Sequence, residues 1–235
     1  MPRNKRALLL GASGLTGGHL LRILLADDRY DHITTLGRKP LSLEHRKLQQ
    51  AVIDFDHSNR HQGFFQVDEV FCCLGTTINK AGSRENFFKV DHTYPLECAR
   101  MAKGAGARSF IIVTSLGAHS RSRNFYLRTK GSLEEELKRL NFERLIIVRP
   151  SLLLGERHER RLLESVGISM MPALAFLLVG PLRQYRAIAA EKVAWCMVHL
   201  AHTVTEPSRI VESDELDAMF KANHSDHELR SNSHF

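Results

Sequence analysis

Nothing in this 235-residue chain is spaced as a disulfide framework, a metal cage, a membrane span or a nucleic-acid stripe. Cysteine is scarce: Cys72, Cys73, Cys98 and Cys196 lie in apolar segments without metal-ligand spacing, and the adjacent pair cannot readily bridge to each other. They read as buried free thiols, so a reducing, cytoplasmic setting is expected. Long apolar runs are also missing. The richest stretch, "ISMMPALAFLLVGPL", has only 15 residues and is broken by Pro172, Gly180 and Pro181, which is too short for an integral membrane segment and suits a buried wall or helix pair. The start, "MPRNKRALLLGASG", has the basic-then-leucine order of a signal peptide, but its apolar run is too short and ends in glycines. Net charge is +7, yet basic residues alternate with acidic ones ("EEELKR", "GERHERR") and no Lys/Arg run is interleaved with aromatics. That argues against a nucleic-acid partner and for attraction of an anionic small ligand. His224 and His227 lack a second ligand cluster, so no metal is expected.

What is present is an ordinary globular composition, 43% hydrophobic and 25% charged, in a chain long enough for one α/β domain with a small appendage. Short β-like runs alternate with helical patterns. "ALLLGA", "HITTLGR", "AVIDF", "EVFCCLG", "SFIIVTS" and "RLIIVRPS" make six strands, and a long helical stretch runs from Ser83 to Lys103. Continuous apolar runs such as "FIIV" and "LIIV" suit strands buried on both faces, so the pattern predicts a doubly wound parallel sheet of the Rossmann type. A single NAD(P)-binding domain is expected over residues 1–222, with an irregular, substrate-covering region at about 151–190 and a polar, flexible tail at 223–235. Within "RQYRAIAAEKVAWCMVHLAH", Val193, Met197 and Leu200 at i, i+4, i+7 mark a helix.

"GASGLTGG" follows the first strand and opens the first helix, the context that a dinucleotide fingerprint requires. Gly11 suits the tight turn, Gly14 lets backbone amides approach a pyrophosphate and Gly17 permits close helix-on-sheet packing, with Ser13, Leu15 and Thr16 between them. The spacing is GxxGxxG, so position on strand, turn and helix carries the assignment. After the second strand an acid would hold an NAD ribose and positive charge would hold an NADP phosphate. Here the strand ends "LGRKP"; Arg38 and Lys39 favour NADP(H), whereas Asp31 precedes the strand. Ligands of such sheets bind outside the carboxyl ends of the strands. That rule puts Asp54 and Phe55 near the adenine, Leu74, Gly75 and Thr76 near the middle of the cofactor, and Pro150 with Ser151 near the nicotinamide.

"FYLRTKG" places Tyr126 four residues before Lys130; with four Tyr and ten Lys in the chain, that spacing alone proves little. Its stripe says more. Tyr126, Lys130, Leu133, Leu137 and Leu140 step by 4, 3, 4 and 3 along one inward face, while Glu134, Glu135, Lys138 and Arg139 fall largely elsewhere. An inward lysine needs partners, and cofactor ribose hydroxyls would supply them. Ser115 ends the preceding strand, eleven residues before Tyr126, so Ser115, Tyr126 and Lys130 can form a proton-donating, carbonyl-orienting set.

In this order and spacing, GASGLTG, CLGTT, TSLGA, YLRTK and VRPS closely resemble the atypical short-chain dehydrogenases/reductases, and among them the Tat-interacting-protein oxidoreductases and their bacterial relatives. The resemblance covers roughly Arg6 to Glu212, and five ordered motifs are far more specific than one. It implies an NADPH-dependent fold with a Ser, Tyr, Lys site at Ser115, Tyr126 and Lys130. Two departures stand out. "CLGTT" replaces the Asn-Asn-Ala-Gly motif of the larger family, and the Ser-to-Tyr spacing is shorter than usual, so the Asn-assisted proton relay does not carry over.

The expected function is NADPH-dependent reduction of a small-molecule carbonyl, or oxidation of the alcohol. Tyr126 would act as general acid with Lys130 as a neighbouring cation, and Ser115 would bond the same oxygen. The alternative is an NADP(H)-binding regulatory or protein-interaction module with little or no turnover. A nucleotide-sugar epimerase fits less well, because the region after Pro150 is small for a sugar-nucleotide domain. Homodimerisation is compatible with the sequence but not specified by it.

Overall fold

The six apolar runs become six parallel strands: β1 (Lys5–Leu10), β2 (Tyr30–Gly37), β3 (Leu48–Val52), β4 (Glu69–Cys72), β5 (Ser109–Val113) and β6 (Arg144–Arg149). The computed structural model of the protein describes residues 4–155 and 186–231; the apolar stretch at 168–182 lies outside the described residues. A short pair, β7 (Leu153–Leu154) and β8 (Ile188–Ala189), sits apart, and a seventh main strand, β9 (Ser208–Glu212), completes a sheet of order β3-β2-β1-β4-β5-β6-β9. Every pairing in it is parallel. The order reverses between β1 and β4, which defines the doubly wound Rossmann fold and places its crevice at that switch point.

Alternate strand residues enter two cores. Leu9, Phe71, Ile111 and Ile146 pack on one face under α1 (Leu15–Ala26) and α6 (Ala190–Thr203). Leu8, Leu10, Val70, Phe110 and Ile147 pack on the other under α4 (Tyr94–Gly104) and α5 (Phe125–Arg139). Covering on both faces is why the strands read as unbroken apolar runs. Val193, Met197 and Leu200 of α6 are all buried, as their periodicity predicts.

The stretch from Ser83 to Lys103 is not one regular helix. Short α2 (Ile78–Ala81) and α3 (Arg84–Phe88) lead into a π-helical turn at Lys89–Thr93, and α4 follows. Pro95 explains the change: it has no N–H to give the carbonyl four residues back, that of Asp91, so the α ladder is interrupted there. Beyond β9 the chain forms α7 (Ser213–Ser231), so residue 223, where a tail was expected to begin, lies inside a helix. No helix among the described residues is long and apolar enough to cross a membrane, and none of their His, Cys, Asp and Glu residues form a group able to hold a metal.

Candidate dinucleotide and proton-transfer site

The C-terminal ends of β1 to β4 open on a cleft of ≈ 460 Å³. Gly11 forms its turn with φ of +84°, and a Cβ there would fall 2.6 Å from the Cys73 backbone; at Gly17 a Cβ would fall 2.1 Å from the Gly11 carbonyl oxygen. Only glycine lets the turn and the helix come this close. α1 starts on Gly14 with no side-chain cap, so its first amides stay open to an anion. Gly11, Ser13 and Gly14 line the cleft. Leu15, Thr16 and Gly17 do not: Thr16 is 6% exposed with its hydroxyl buried and unpartnered, and Leu15 turns toward Gly155. A cradle that only glycine can form, ending in open amides, fits a dinucleotide pyrophosphate.

Arg38 and Lys39 follow β2 at the cleft edge, exposed and without an ion pair among the described residues. Asp31 lies at the opposite end of that strand. Asp54 and Phe55 also line the cleft, as their strand-end positions predict. The Asp54 carboxylate accepts from the Asp56 amide at 3.0 Å and contacts His57 Nδ1 at 2.8 Å; the His57 contact and then that amide hold its carboxyl below the usual range. Phe55 stacks on Tyr94, with centroids 5.4 Å apart, and the Tyr94 hydroxyl donates to Asp56 at 3.0 Å. Burial and Asp56 push the Tyr94 phenol up to about 12, so it remains a donor at neutral pH. Tyr94 is a cleft residue that strand-end logic could not find, because it projects from a helix.

Leu74, Gly75 and Thr76 continue from β4 and form the cleft floor. Behind them lies a pair that sequence reading half missed. The Lys130 side chain, 4% exposed, lies 2.8 Å from Asp91 Oδ1, and the other Asp91 oxygen accepts the Thr76 amide at 2.8 Å. A Cβ at Gly75 would stand 3.4 Å from Asp91 Oδ1 and 3.6 Å from Lys130 Nζ, so the pair is directly behind the floor. Burial opposes both charges. It raises the Asp91 carboxyl above its usual range against the pull of Lys130, whereas for Lys130 the fields of Asp91 and Tyr126 outweigh burial and hold the ammonium above its usual value. Asp91 gave no signal in the sequence, where it is one acid in an ordinary amphipathic helix.

α5 carries the chemical end. Asn124 caps it, accepting from the Tyr126 and Leu127 amides at 2.9 and 3.3 Å. At Gly131 a Cβ would fall 2.2 Å from the His119 backbone, so the helix rests directly on the loop after β5. The inward stripe also includes Glu134, contrary to the periodicity reading: this residue is 2% exposed and is met by Thr114 at 2.6 Å and by Arg149 at 3.1 Å. Tyr126, Lys130 and Glu134 are successive i+4 positions, of which Lys130 is matched by Asp91 from the π-helical turn and Glu134 by Thr114 and Arg149 at the ends of two strands. Such matching fixes the rotation of the helix.

The Tyr126 ring packs 5.5 Å from Phe87, is half-buried, and its hydroxyl has no hydrogen-bond partner among the described residues. Ser115 lies two residues beyond the end of β5 and not on the strand; its hydroxyl reaches only the Leu116 carbonyl, at 3.4 Å. The Leu116 amide donates to Pro150 at 2.9 Å, which ties the two strand ends together. No hydrogen bond joins Ser115 to Tyr126, and Ser115, Tyr126, Lys130 and Pro150 all lie outside the cleft lining.

Fold and cleft together define a nicotinamide-dinucleotide-binding Rossmann protein, and the chain belongs to the NAD(P)H-binding family, whose model matches residues 11–203. Within that class it is an atypical short-chain dehydrogenase/reductase of the HTATIP2 type. It is 39% identical to Protein HTATIP2 of Rattus norvegicus over 163 residues, 68% of this chain and 67% of the rat protein. To Protein FMP52, mitochondrial, of Debaryomyces hansenii it is 33% identical over 227 residues, 92% of this chain and 98% of the yeast protein. A short-chain dehydrogenase family protein from Francisella tularensis superposes with a TM-score of 0.69 at 14% identity, covering 92% of this chain and all of that one; MoeE5, solved with UDP-glucose and NAD, gives 0.65 at 13%, covering 92% and 81%. These two show the fold alone. The cytoplasmic expectation is overturned, since several fungal relatives are named mitochondrial. Free thiols separate reducing from oxidising surroundings, not one reducing compartment from another.

Proposed function

We propose that the protein is an NADPH-dependent oxidoreductase that reduces a carbonyl, or oxidises the corresponding alcohol, at a Ser115, Tyr126, Lys130 site. The observation that carries this reading is the buried Lys130 ammonium, paired with Asp91 behind the loop of Leu74 to Thr76 and one helical turn from Tyr126. The open amides at the start of α1 would hold the pyrophosphate and Gly75 the middle of the dinucleotide; Arg38 would grip the 2′-phosphate through its planar donor fork, with Lys39 adding charge. A bound nicotinamide supplies the hydride. Tyr126, whose hydroxyl is uncommitted, gives its proton to the carbonyl oxygen, Ser115 donates a hydrogen bond to the same oxygen, and Lys130 steadies the phenolate that remains.

The test is a panel of carbonyl compounds followed by NADPH absorbance, with Tyr126→Phe alongside. Turnover that the variant keeps removes Tyr126 from this role. Tight NADPH binding without turnover on any substrate would replace the oxidoreductase by a cofactor-sensing regulator.

A further inference from the structure

Asp91 is 1% exposed and bears a carboxylate whose two oxygens are committed to different elements. Oδ2 accepts the Thr76 amide of the loop that floors the cleft; Oδ1 faces Lys130 of α5. A lone buried charge is unfavourable, and a buried pair becomes tolerable only when geometry and added hydrogen bonds satisfy both partners. Here the geometry depends on the π-helical turn that Pro95 imposes, because Asp91 sits in that turn. π turns of this kind are frequent at functional sites.

The groups that face Lys130 are few. They are Asp91, the Tyr126 phenol and the Cys72 thiol, and burial pushes that thiol up to about 12, so it carries no charge at neutral pH. Asp91 is therefore the one carboxylate balancing Lys130 among the described residues. It in turn faces Lys130 and the Thr76 amide, with no other cation in contact.

We propose that Asp91 is a positioning residue of the site: it anchors the Lys130 ammonium to the backbone of the cofactor-facing loop and supplies the counter-charge that keeps it an ammonium. Loop and lysine are then one mechanical unit. A dinucleotide that settles on Leu74 to Thr76 acts on Lys130 through a single carboxylate. The inference rests on Lys130 belonging to the proposed site, but its anchoring can be measured in a protein that turns nothing over.

The measurement is the titration of Lys130 by NMR in full-length protein labelled at lysine Cε, with the resonance assigned through Lys130→Arg. In Asp91→Asn, where the amide keeps the shape but not the charge, Lys130 should lose its proton about one pH unit or more below its wild-type midpoint. Asp91→Glu should restore most of that shift. A Lys130 midpoint unchanged in Asp91→Asn would overturn the proposal, since a role confined to holding the Thr76 amide would leave the lysine unmoved. Should Asp91→Asn not fold, Lys130→Met tests the same pair from the other side. The Asp91 carboxyl, followed at Cγ, should then titrate about one unit or more higher, and an unchanged midpoint would overturn the pairing. A shifted lysine in a protein inert toward every carbonyl sinks the oxidoreductase alone; an unmoved lysine in an active enzyme sinks the anchoring alone.

Discussion

At the N-terminal edge of the sheet, the first residues of five strands, Lys5, Tyr30, Glu69, Ser109 and Arg144, are all joined in one network. Glu69, 1% exposed, takes Lys5 at 2.6 Å, the Tyr30 hydroxyl at 2.6 Å and Arg144 at 3.1 Å; Arg144 also donates to Ser109 at 2.9 Å, and His202 meets the Tyr30 hydroxyl at 3.0 Å. At the C-terminal edge Lys130 and Arg149 are paired too, but other residues of the same types are left open. Arg38 and Lys39 have no acid, and the Tyr126 hydroxyl has no partner among the described residues. Both edges present tyrosine, lysine and arginine, so residue type does not distinguish them. Completion does: the N-terminal cluster is matched internally, whereas Arg38 and Lys39 line the cleft unmatched and the Tyr126 hydroxyl, outside that lining, is unpartnered among the described residues.

The largest effects should fall cleanly on one edge or the other. Tyr126→Phe should lower NADPH-dependent turnover by about 10²- to 10⁴-fold, the range for a lost general acid, while the urea midpoint stays put. Glu69→Ala should do the reverse. Removing one member of a buried charge cluster leaves the others uncompensated and costs about 3–5 kcal/mol of unfolding free energy, readable by urea denaturation, with NADPH affinity unchanged. If Tyr126→Phe unfolded the protein, or Glu69→Ala abolished cofactor binding while leaving stability intact, the division between the edges would not hold.

The division was legible in the sequence on one side only. Gly11, Ser13, Gly14, Arg38, Lys39, Asp54, Phe55 and Leu74 to Thr76 line the cleft, as the Rossmann rule of strand, carboxyl end and crevice expects, whereas Leu15 to Gly17, Ser115 and Pro150 do not. Lys130 was legible as an inward lysine from its stripe. Its partner was not, because Asp91 depends on where Pro95 breaks a helix and on contact with a residue 39 positions away, which no local pattern records. Glu134 was misplaced for a related reason. Periodicity treats an acid as outward, and burial of this one depends on Arg149 at the far end of the following strand turning back to meet it. β9 escaped because an edge strand with only Ile210 and Val211 apolar has too little pattern to read. The polar network at the other edge was invisible too, since each member is a single residue opening a strand.

Smaller changes sharpen the comparison. Arg38→Ser should weaken NADPH binding about tenfold to hundredfold, the worth of a charge-assisted hydrogen bond, and leave NADH binding nearly unchanged; equal loss for both cofactors would place Arg38 elsewhere than at the 2′-phosphate.

The smallest effect is a pH dependence of stability at the sealed edge. Burial, with Lys5 and Arg29 nearby, lowers His202 to about 4 despite the opposing pull of Glu69 and Asp27. An unfolded histidine titrates near pH ~6.5. As pH falls below that value the unfolded chain takes up a proton that the folded one refuses, so stability drops progressively and levels off below about pH 4, where both forms are protonated. Above about pH 7 the group contributes no slope. His202→Gln should therefore flatten part of the decline in urea midpoint between pH 6.5 and 4 without touching the cofactor edge. Parallel wild-type and variant curves would mean that His202 accepts its proton in the folded network after all, and that this edge has a tolerance for added charge that its completed hydrogen bonding argues against.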